Sequence, residues 1–250
     1  MMILQVNYAE EWDWLVILDA CRYDFFERYA FPEIRKMYPN AKLEKRISLA
    51  SETTGVLEKF PRLPNSVVLT GHPFVLLRKD KFDLLLDAGF NYRLSTCPPW
   101  YMTTAFTIYY RRMIGYKRRI LWFLQPHHPF IGKVKLNIRI YEGGKGSPLH
   151  TTDKIIKEYE EYKKRGILVE AYKENLILVV DYLKKILPKM NGKIIITSDH
   201  GEGLGIPLRK EDKPILSHPG KRNEWELRLI PWCVIHNPHR SLQIPSLLFP

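Results

Sequence analysis

Ile194-Ile195-Ile196-Thr197-Ser198-Asp199-His200-Gly201-Glu202 is the stretch on which the reading of this chain turns. A run of β-branched residues stops abruptly at polar ones, which predicts a buried strand with Asp199 and His200 just past its carboxyl end. In open α/β sheets that edge is where ligands bind. A carboxylate beside an imidazole, followed by a glycine that allows a tight bend, makes a metal-binding corner. Asp199 and His200 are therefore candidate ligands in need of partners from elsewhere in the chain.

Other apolar runs end the same way. Residues 12–20 predict a strand ending in Asp19, before Cys21-Arg22-Tyr23-Asp24 turns into a helix. A strand-end aspartate on its own commonly caps a helix. Residues 41–49 alternate as a strand, and Ser51, Thr53 and Thr54 cluster just before a short amphipathic helix. A hydroxyl there either caps the helix or serves as a nucleophile whose phosphorylated form the free amides stabilise. Residues 66–70 predict a strand leading to Gly71-His72-Pro73-Phe74, and residues 119–124 one leading to Gln125-Pro126-His127-His128-Pro129-Phe130. Helices are expected over 79–88 and 104–116, an edge strand over 90–95, a long loop over 131–152 and a last strand over 229–235. Residues 153–187 predict two helices, or one kinked near Arg165-Gly166, with Leu168, Tyr172, Leu176, Val179, Val180, Leu183 and Leu187 on one apolar stripe. Strands separated by helices predict an α/β fold, a mostly parallel sheet with helices on both faces, as one domain over residues 1–250. Such a sheet would gather Asp19, the 51–54 hydroxyls, His127, His128, Asp199 and His200 along one edge.

Composition narrows the class. With 45% hydrophobic and 26% charged residues, 250 residues suffice for one sizeable core. No run reaches the ~20 apolar residues of a membrane span, and the N-terminus lacks the pattern of a signal peptide. Three widely spaced cysteines speak against a disulfide framework, so a reducing, cytoplasmic setting is expected. The net charge of +12 suits an anionic partner: a phosphate or sulfate ester, nucleic acid or an anionic lipid surface. A highly charged, solvated surface would give the same number.

Five stretches in order, Leu18-Asp19-Ala20-Cys21-Arg22-Tyr23-Asp24, Ser51-Glu52-Thr53-Thr54, Gln125-Pro126-His127-His128-Pro129-Phe130, Ser198-Asp199-His200-Gly201-Glu202 and His218-Pro219-Gly220 leading to Arg228-Leu229-Ile230-Pro231-Trp232, resemble the alkaline phosphatase and sulfatase superfamily. The likeness is to its archaeal sulfatase-like proteins and, more distantly, to lipoteichoic acid synthases and phosphoethanolamine transferases. The resemblance implies that Asp19, Asp199 and His200 are metal ligands, with Thr53 the nucleophile and a further ligand. It implies that His127 serves the substrate or leaving group, and that His218 is a second-metal ligand or a substrate contact. Ser51 and Thr54 stand as the other candidate nucleophiles, and Arg22 and Lys221 as further anion contacts. The Cys-x-Pro-Ser-Arg motif of sulfatases is missing, and so is the Asp-x-x-x-His motif of two-zinc members. Phosphate ester chemistry, including that of a phosphodiesterase, is therefore expected ahead of sulfate ester hydrolysis, and one metal ahead of two.

A hydroxyl nucleophile needs activation, which a divalent cation on its oxygen supplies. One imidazole nitrogen with carboxylate and hydroxyl oxygens suits manganese or zinc, whereas calcium and magnesium prefer all-oxygen shells. The expected function is a metal-dependent phosphoester hydrolase or phosphotransferase working through a phospho-threonine. The competing class is a non-catalytic binder of nucleic acid or anionic lipid. It rests on the charge and on the basic-aromatic run Tyr109-Tyr110-Arg111-Arg112-Met113-Ile114-Gly115-Tyr116-Lys117-Arg118-Arg119, which also suits a helix with one aromatic face in the core. His236 and His239 near the C-terminus, and Cys97 before Pro98-Pro99, are read as ordinary surface and loop residues.

Overall fold

A computed structural model describes residues 3–136 and 152–238, the side chains of 152–154 excepted. The strands are β1 (Leu4–Gln5), β2 (Trp14–Leu18), β3 (Lys42–Ile47), β4 (Ser66–Thr70), β5 (Leu84–Asp87), β6 (Arg118–Phe123), β7 (Gly192–Thr197) and β8 (Leu229–Asn237). The helices are α1 (Tyr23–Phe25), continued by a π-helical turn (Phe26–Ala30) into α2 (Phe31–Met37), then α3 (Thr53–Lys59), α4 (Pro73–Leu76), α5 (Pro99–Met113), α6 (Thr152–Lys164), α7 (Leu168–Ile186) and α8 (Trp225–Arg228). The strands form one sheet in the order β1-β3-β8-β7-β2-β6-β4-β5. Every strand runs the same way except β8, which is antiparallel to both β3 and β7.

The central strands have no polar face because both faces are covered. Trp14, Val16 and Leu18 of β2, with Ile194 and Ile196 of β7, pack toward α5, α7 and the α1–α2 segment. Leu15 and Ile17, with Ile195, pack against Val56, Leu57 and Phe60 of the α3 segment and against Val6, Tyr8 and Trp12 of the N-terminal segment. The expected stripe of α7, from Leu168 to Leu187, is buried throughout. The expected kink is a break between α6 and α7, where Gly166 takes a φ of +71°. In the run Tyr109 to Arg119, Met113 is buried and the three tyrosines pack against the core, while Arg111, Arg112 and Lys117 are exposed. Tyr110 stacks on Trp14, Arg118 lies over Trp12 and Arg119 over Trp14.

Three local expectations differ from the structure. Residues 79–88, expected as a helix, contain β5 instead. Three consecutive leucines suit either state, and pairing with the open edge of β4 decides it. Residues 90–95, expected as an edge strand, form a turn. The Asn91 side chain accepts from the Arg93 and Leu94 amides, and only the bridge to Thr96 remains. The helix expected from 104 begins at Pro99, a residue suited to a first helical position. Most of the 131–152 loop, and His239, lie outside the described residues.

The strand directions decide where the polar residues go. β2, β3, β4, β6 and β7 all end at one edge. β8 starts there too, so the whole Ser198–Arg228 connection begins and ends at that edge. The β2–β7 register pairs Ile17 with Thr197 and, two residues on, carries Asp19 to the level of Asp199.

Gly201 is required there by a close approach. A Cβ would stand 2.0 Å from the Glu226 carbonyl oxygen, while the Gly201 amide donates to the Leu227 carbonyl at 2.8 Å. Gly201→Ala should therefore cost about 1–3 kcal/mol through overpacking. Gly166→Ala, with open space but positive φ, should cost about 1–2 kcal/mol from backbone strain alone. Denaturant midpoints measure both, and only the Gly201 substitution is expected to disturb metal binding as well.

Candidate metal centre and adjoining histidine cluster

Asp19, Asp199 and His200 are at most 1% exposed, and their ligand atoms lie within 4.8 Å of one another. The His200 tautomer follows from its surroundings. Nδ1 lies 2.7 Å from the Gly201 carbonyl, which can only accept, so the hydrogen is on Nδ1. In the neutral ring the Nε2 lone pair then faces Thr53 Oγ1 at 3.2 Å, Asp19 Oδ1 at 3.5 Å and Asp199 Oδ2 at 3.6 Å. Asp19 Oδ1 is buried and accepts no hydrogen bond. One nitrogen and three oxygens thus present electron pairs to a common point, a donor set that fits a divalent cation such as manganese or zinc. Without one, burial and the neighbouring Asp199 push the Asp19 carboxyl up to about 6, despite the nearby histidines. A bound cation would draw it back down.

The surrounding contacts set how each ligand points. Asp199 Oδ1 accepts from the Ala20 and His200 amides at 3.1 and 2.9 Å, which leaves Oδ2 to accept from the Thr53 hydroxyl at 2.9 Å. Ser198 Oγ donates to the Leu18 carbonyl and accepts from the Cys21 amide, tying the ends of β2 and β7 together. Ser48 donates to the Asp199 carbonyl, and Tyr8 to that of Ser198.

Of the three candidate hydroxyls, only Thr53, the first residue of α3, reaches this point. Ser51 donates to the Pro219 carbonyl and accepts from the Arg222 amide, and Thr54 bonds to Glu52.

Beside the centre lies a second group. His218 Nδ1 meets Glu202 Oε1 and Oε2 at 3.0 and 3.1 Å, and its Nε2 is 3.2 Å from His127 Nε2. Burial alone would lower the His218 pKa, but Glu202, Asp19 and Asp199 lift it to about 9, so both of its nitrogens carry hydrogen. His127 is held below its ordinary value, mainly by burial. Its Nδ1–H faces the His128 carbonyl, and its Nε2 therefore accepts from His218. His128 Nδ1 donates to the Tyr159 hydroxyl at 3.0 Å, which donates to Glu202 Oε2 at 3.2 Å. His127, His128 and Glu202 also lie close enough together to hold a cation. The Glu202 oxygens, however, already accept from His218, Tyr159 and the Gly203 amide, so this cluster reads as a proton-holding network.

The first centre and the histidines open on a cavity of about 300 Å³. Asp19, Thr53, His72, His127 and His218 line it, with Phe74, Phe90 and Leu124 forming an apolar wall. Arg22, expected as an anion contact, is a correction: it is fully buried behind the site, paired with Asp24 and bonded to the Ile206 carbonyl, and does not line the cavity. Lys221 is exposed beyond Gly220. His236 is exposed at the end of β8, which pairs with the start of β7 and so lies at the opposite edge.

Sequence reading missed four contributors. Glu202 and His72 stood in quoted stretches without a role. Tyr159 lies on α6 and belongs to no motif of the sequence. Asn175 sits within the apolar face of α7, and its side chain donates to the Pro126 and His127 carbonyls and accepts from the Ile131 amide, fixing the His127 loop.

No protein-family model matches the sequence, and neither does any curated protein sequence. Solved structures do match. The soluble domain of lipooligosaccharide phosphoethanolamine transferase A from Neisseria meningitidis superposes with a TM-score of 0.62 at 13% identity, over 94% of this chain and 79% of that one. The C-terminal periplasmic domain of EptC from Escherichia coli, in complex with zinc, gives 0.56 at 15%, over 90% and 72%. Lipoteichoic acid synthase LtaP from Listeria monocytogenes gives 0.53 at 12%, over 91% and 65%. The chain thus shares the α/β fold of these transferase and synthase domains, built here as a mostly parallel eight-stranded sheet with its polar strand ends gathered at one edge.

Proposed function

We propose that this chain is a metal-dependent enzyme acting on phosphate esters, a hydrolase or phosphotransferase with Thr53 as nucleophile. The observation that carries this reading is the convergence of His200 Nε2, Asp19 Oδ1, Asp199 Oδ2 and Thr53 Oγ1 on one buried point beside the cavity. Fold likeness to phosphoethanolamine transferase and lipoteichoic acid synthase domains supports phosphate ester chemistry and is neutral on the acceptor.

A divalent ion held by Asp19, Asp199, His200 and the Thr53 oxygen would lower the pKa of that hydroxyl and neutralise charge on a phosphoryl oxygen. The remaining steps fall to the protein's own groups. Asp199 Oδ2 accepts the Thr53 hydrogen as Oγ1 forms its bond to phosphorus and the bond to the leaving oxygen breaks. The His218–His127 pair, protonated in the resting state, supplies the proton to that oxygen. Water or an acceptor alcohol then attacks the phospho-threonine and gives its proton to the same pair, and as the bond from phosphorus to Oγ1 breaks Thr53 takes its hydrogen back from Asp199 Oδ2. The apolar wall of Phe74, Phe90 and Leu124 would receive the ester's carbon substituent.

The test is cleavage of bis-p-nitrophenyl phosphate, p-nitrophenyl phosphate and a sulfate ester with added manganese or zinc. Thr53→Ala should lower phosphate ester cleavage by at least about 10³-fold, the scale on which removing a nucleophile acts. Full activity in that variant sinks the assignment. Asp199→Ala should lose both the bound metal and cleavage.

His218 also predicts a pH dependence of stability in the metal-free protein. Its folded-state pKa, about 9, lies above its ordinary 6.5, so the protonated form stabilises the fold. That contribution is complete below pH 6.5 and is lost as pH rises through 9. Urea midpoints of wild type and His218→Gln should therefore differ most near pH 6 and converge toward pH 10. Parallel curves would show that the charge on His218 contributes nothing.

A further inference from the structure

Asp199 and Asp19 each present one carboxylate oxygen to the centre, but they are restrained differently. Asp199 Oδ1 is held by two backbone amides. At Asp19 Oδ2 the contact is a side chain, His72 Nε2, at 3.3 Å. His72 follows β4, 6% exposed, on the cavity wall. Its backbone is fixed, because its amide donates to Thr70 Oγ1 at 2.9 Å and Thr70 donates in turn to the Trp122 carbonyl at 2.8 Å. Gly71, just before it, has no room for a Cβ, which would stand 2.5 Å from both Cys97 Cβ and the Gly89 carbonyl oxygen. The ring is fixed as well. The Phe74 amide donates to His72 Nδ1 at 3.2 Å, so Nδ1 carries the lone pair and the hydrogen is on Nε2, the ring nitrogen nearer Asp19.

We propose that His72 is a positioning residue: its Nε2–H holds Asp19 Oδ2, so that Asp19 meets the metal through Oδ1 alone. This rests on the metal centre proposed above and adds to it a residue that touches neither metal nor reacting atoms. Groups that hold metal ligands in this way are typically worth about 10–100-fold in metal affinity. The role belongs to one nitrogen, which allows a selective test. A glutamine amide can put an N–H where Nε2 stands, whereas an asparagine amide reaches only the Nδ1 position.

The experiment is calorimetric titration of Mn²⁺ into chelator-treated wild type, His72→Gln, His72→Asn, His72→Phe and Asp19→Ala, with thermal melts of each metal-free protein. His72→Gln should bind Mn²⁺ within about threefold of wild type, and His72→Asn and His72→Phe about 10–100-fold more weakly. If His72→Phe does not fold, the glutamine–asparagine comparison decides alone. Wild-type Mn²⁺ affinity in His72→Asn, alongside a loss in Asp19→Ala, would overturn the proposal and leave the metal centre standing. So would a raised KM with unchanged Mn²⁺ affinity, which would make His72 a substrate contact. Undiminished Mn²⁺ binding by Asp19→Ala would instead overturn the centre itself.

Discussion

Two buried carboxylates and one imidazole lone pair aimed at the same point form the constraint on which the rest of the structure depends. Asp19 and Asp199 sit at the ends of adjacent parallel strands, β2 and β7, whose register fixes them at the same height. Ionised carboxylates removed from water cost several kcal/mol each unless compensated. The Gly201 carbonyl takes the hydrogen on His200 Nδ1, so in the neutral ring Nε2 turns a lone pair toward them. Asp199 is clamped by two amides, and the sheet below is apolar on both faces. A cation at the shared point would compensate this charge; without one, burial and the neighbouring Asp199 push the Asp19 carboxyl up to about 6.

The scaffold holds this unfavourable cluster with hydrogen bonds from many directions. Ser198 bridges the ends of β2 and β7, Ser48 and Tyr8 hold the carbonyls of Asp199 and Ser198, and Tyr172 donates to the Ala20 carbonyl at 2.7 Å. Ala20 itself takes a φ of 57°, which a non-glycine residue adopts only when its surroundings over-determine it. Tyr172 is thus both a core residue of α7 and a support for the turn that delivers Asp19. Arg22 has a similar office. Its guanidinium bonds Asp24 and two carbonyls behind the site, a structural role that its place beside Asp19 in the sequence disguises.

The sheet and the ligands of the first centre were legible because each is a local pattern: an apolar run, then a polar residue. Asp19, Thr53, His127, Asp199 and His200 all follow such runs, and parallel strands bring run ends together whatever their distance in sequence. What was not legible depended on contacts across the chain. Leu84–Asp87 is a strand because β4 has a free edge, not because of its composition. Tyr159 and Asn175 act through partners 31 to 49 residues away, as in Tyr159 with His128 and Asn175 with Pro126, and Glu202 joins Tyr159, 43 residues before it, to His218, 16 residues after it. His72 carries no signature beyond its glycine and proline neighbours. Its meaning appears only once Asp19 Oδ2 is found beside it.

The order of strands also bears on the proposed chemistry. Reading along the sheet, β3 delivers Thr53, β7 and β2 deliver the three ligands, and β6 delivers His127, with His218 arriving from the connection that starts after β7. Thr53 and His127 thus come from opposite sides of the ligand set, while the loop that carries His218 is held on the Thr53 side, where Ser51 donates to the Pro219 carbonyl. Displacement at phosphorus places attacking and leaving oxygens roughly in line. On the proposed chemistry, Thr53 on one flank and His127 on the other suit that requirement. The reversed direction of β8 completes the arrangement. It keeps both ends of the Ser198–Arg228 connection at the polar edge, so that His218 is carried back over the site and braced there by Glu202, sixteen residues before it in the chain.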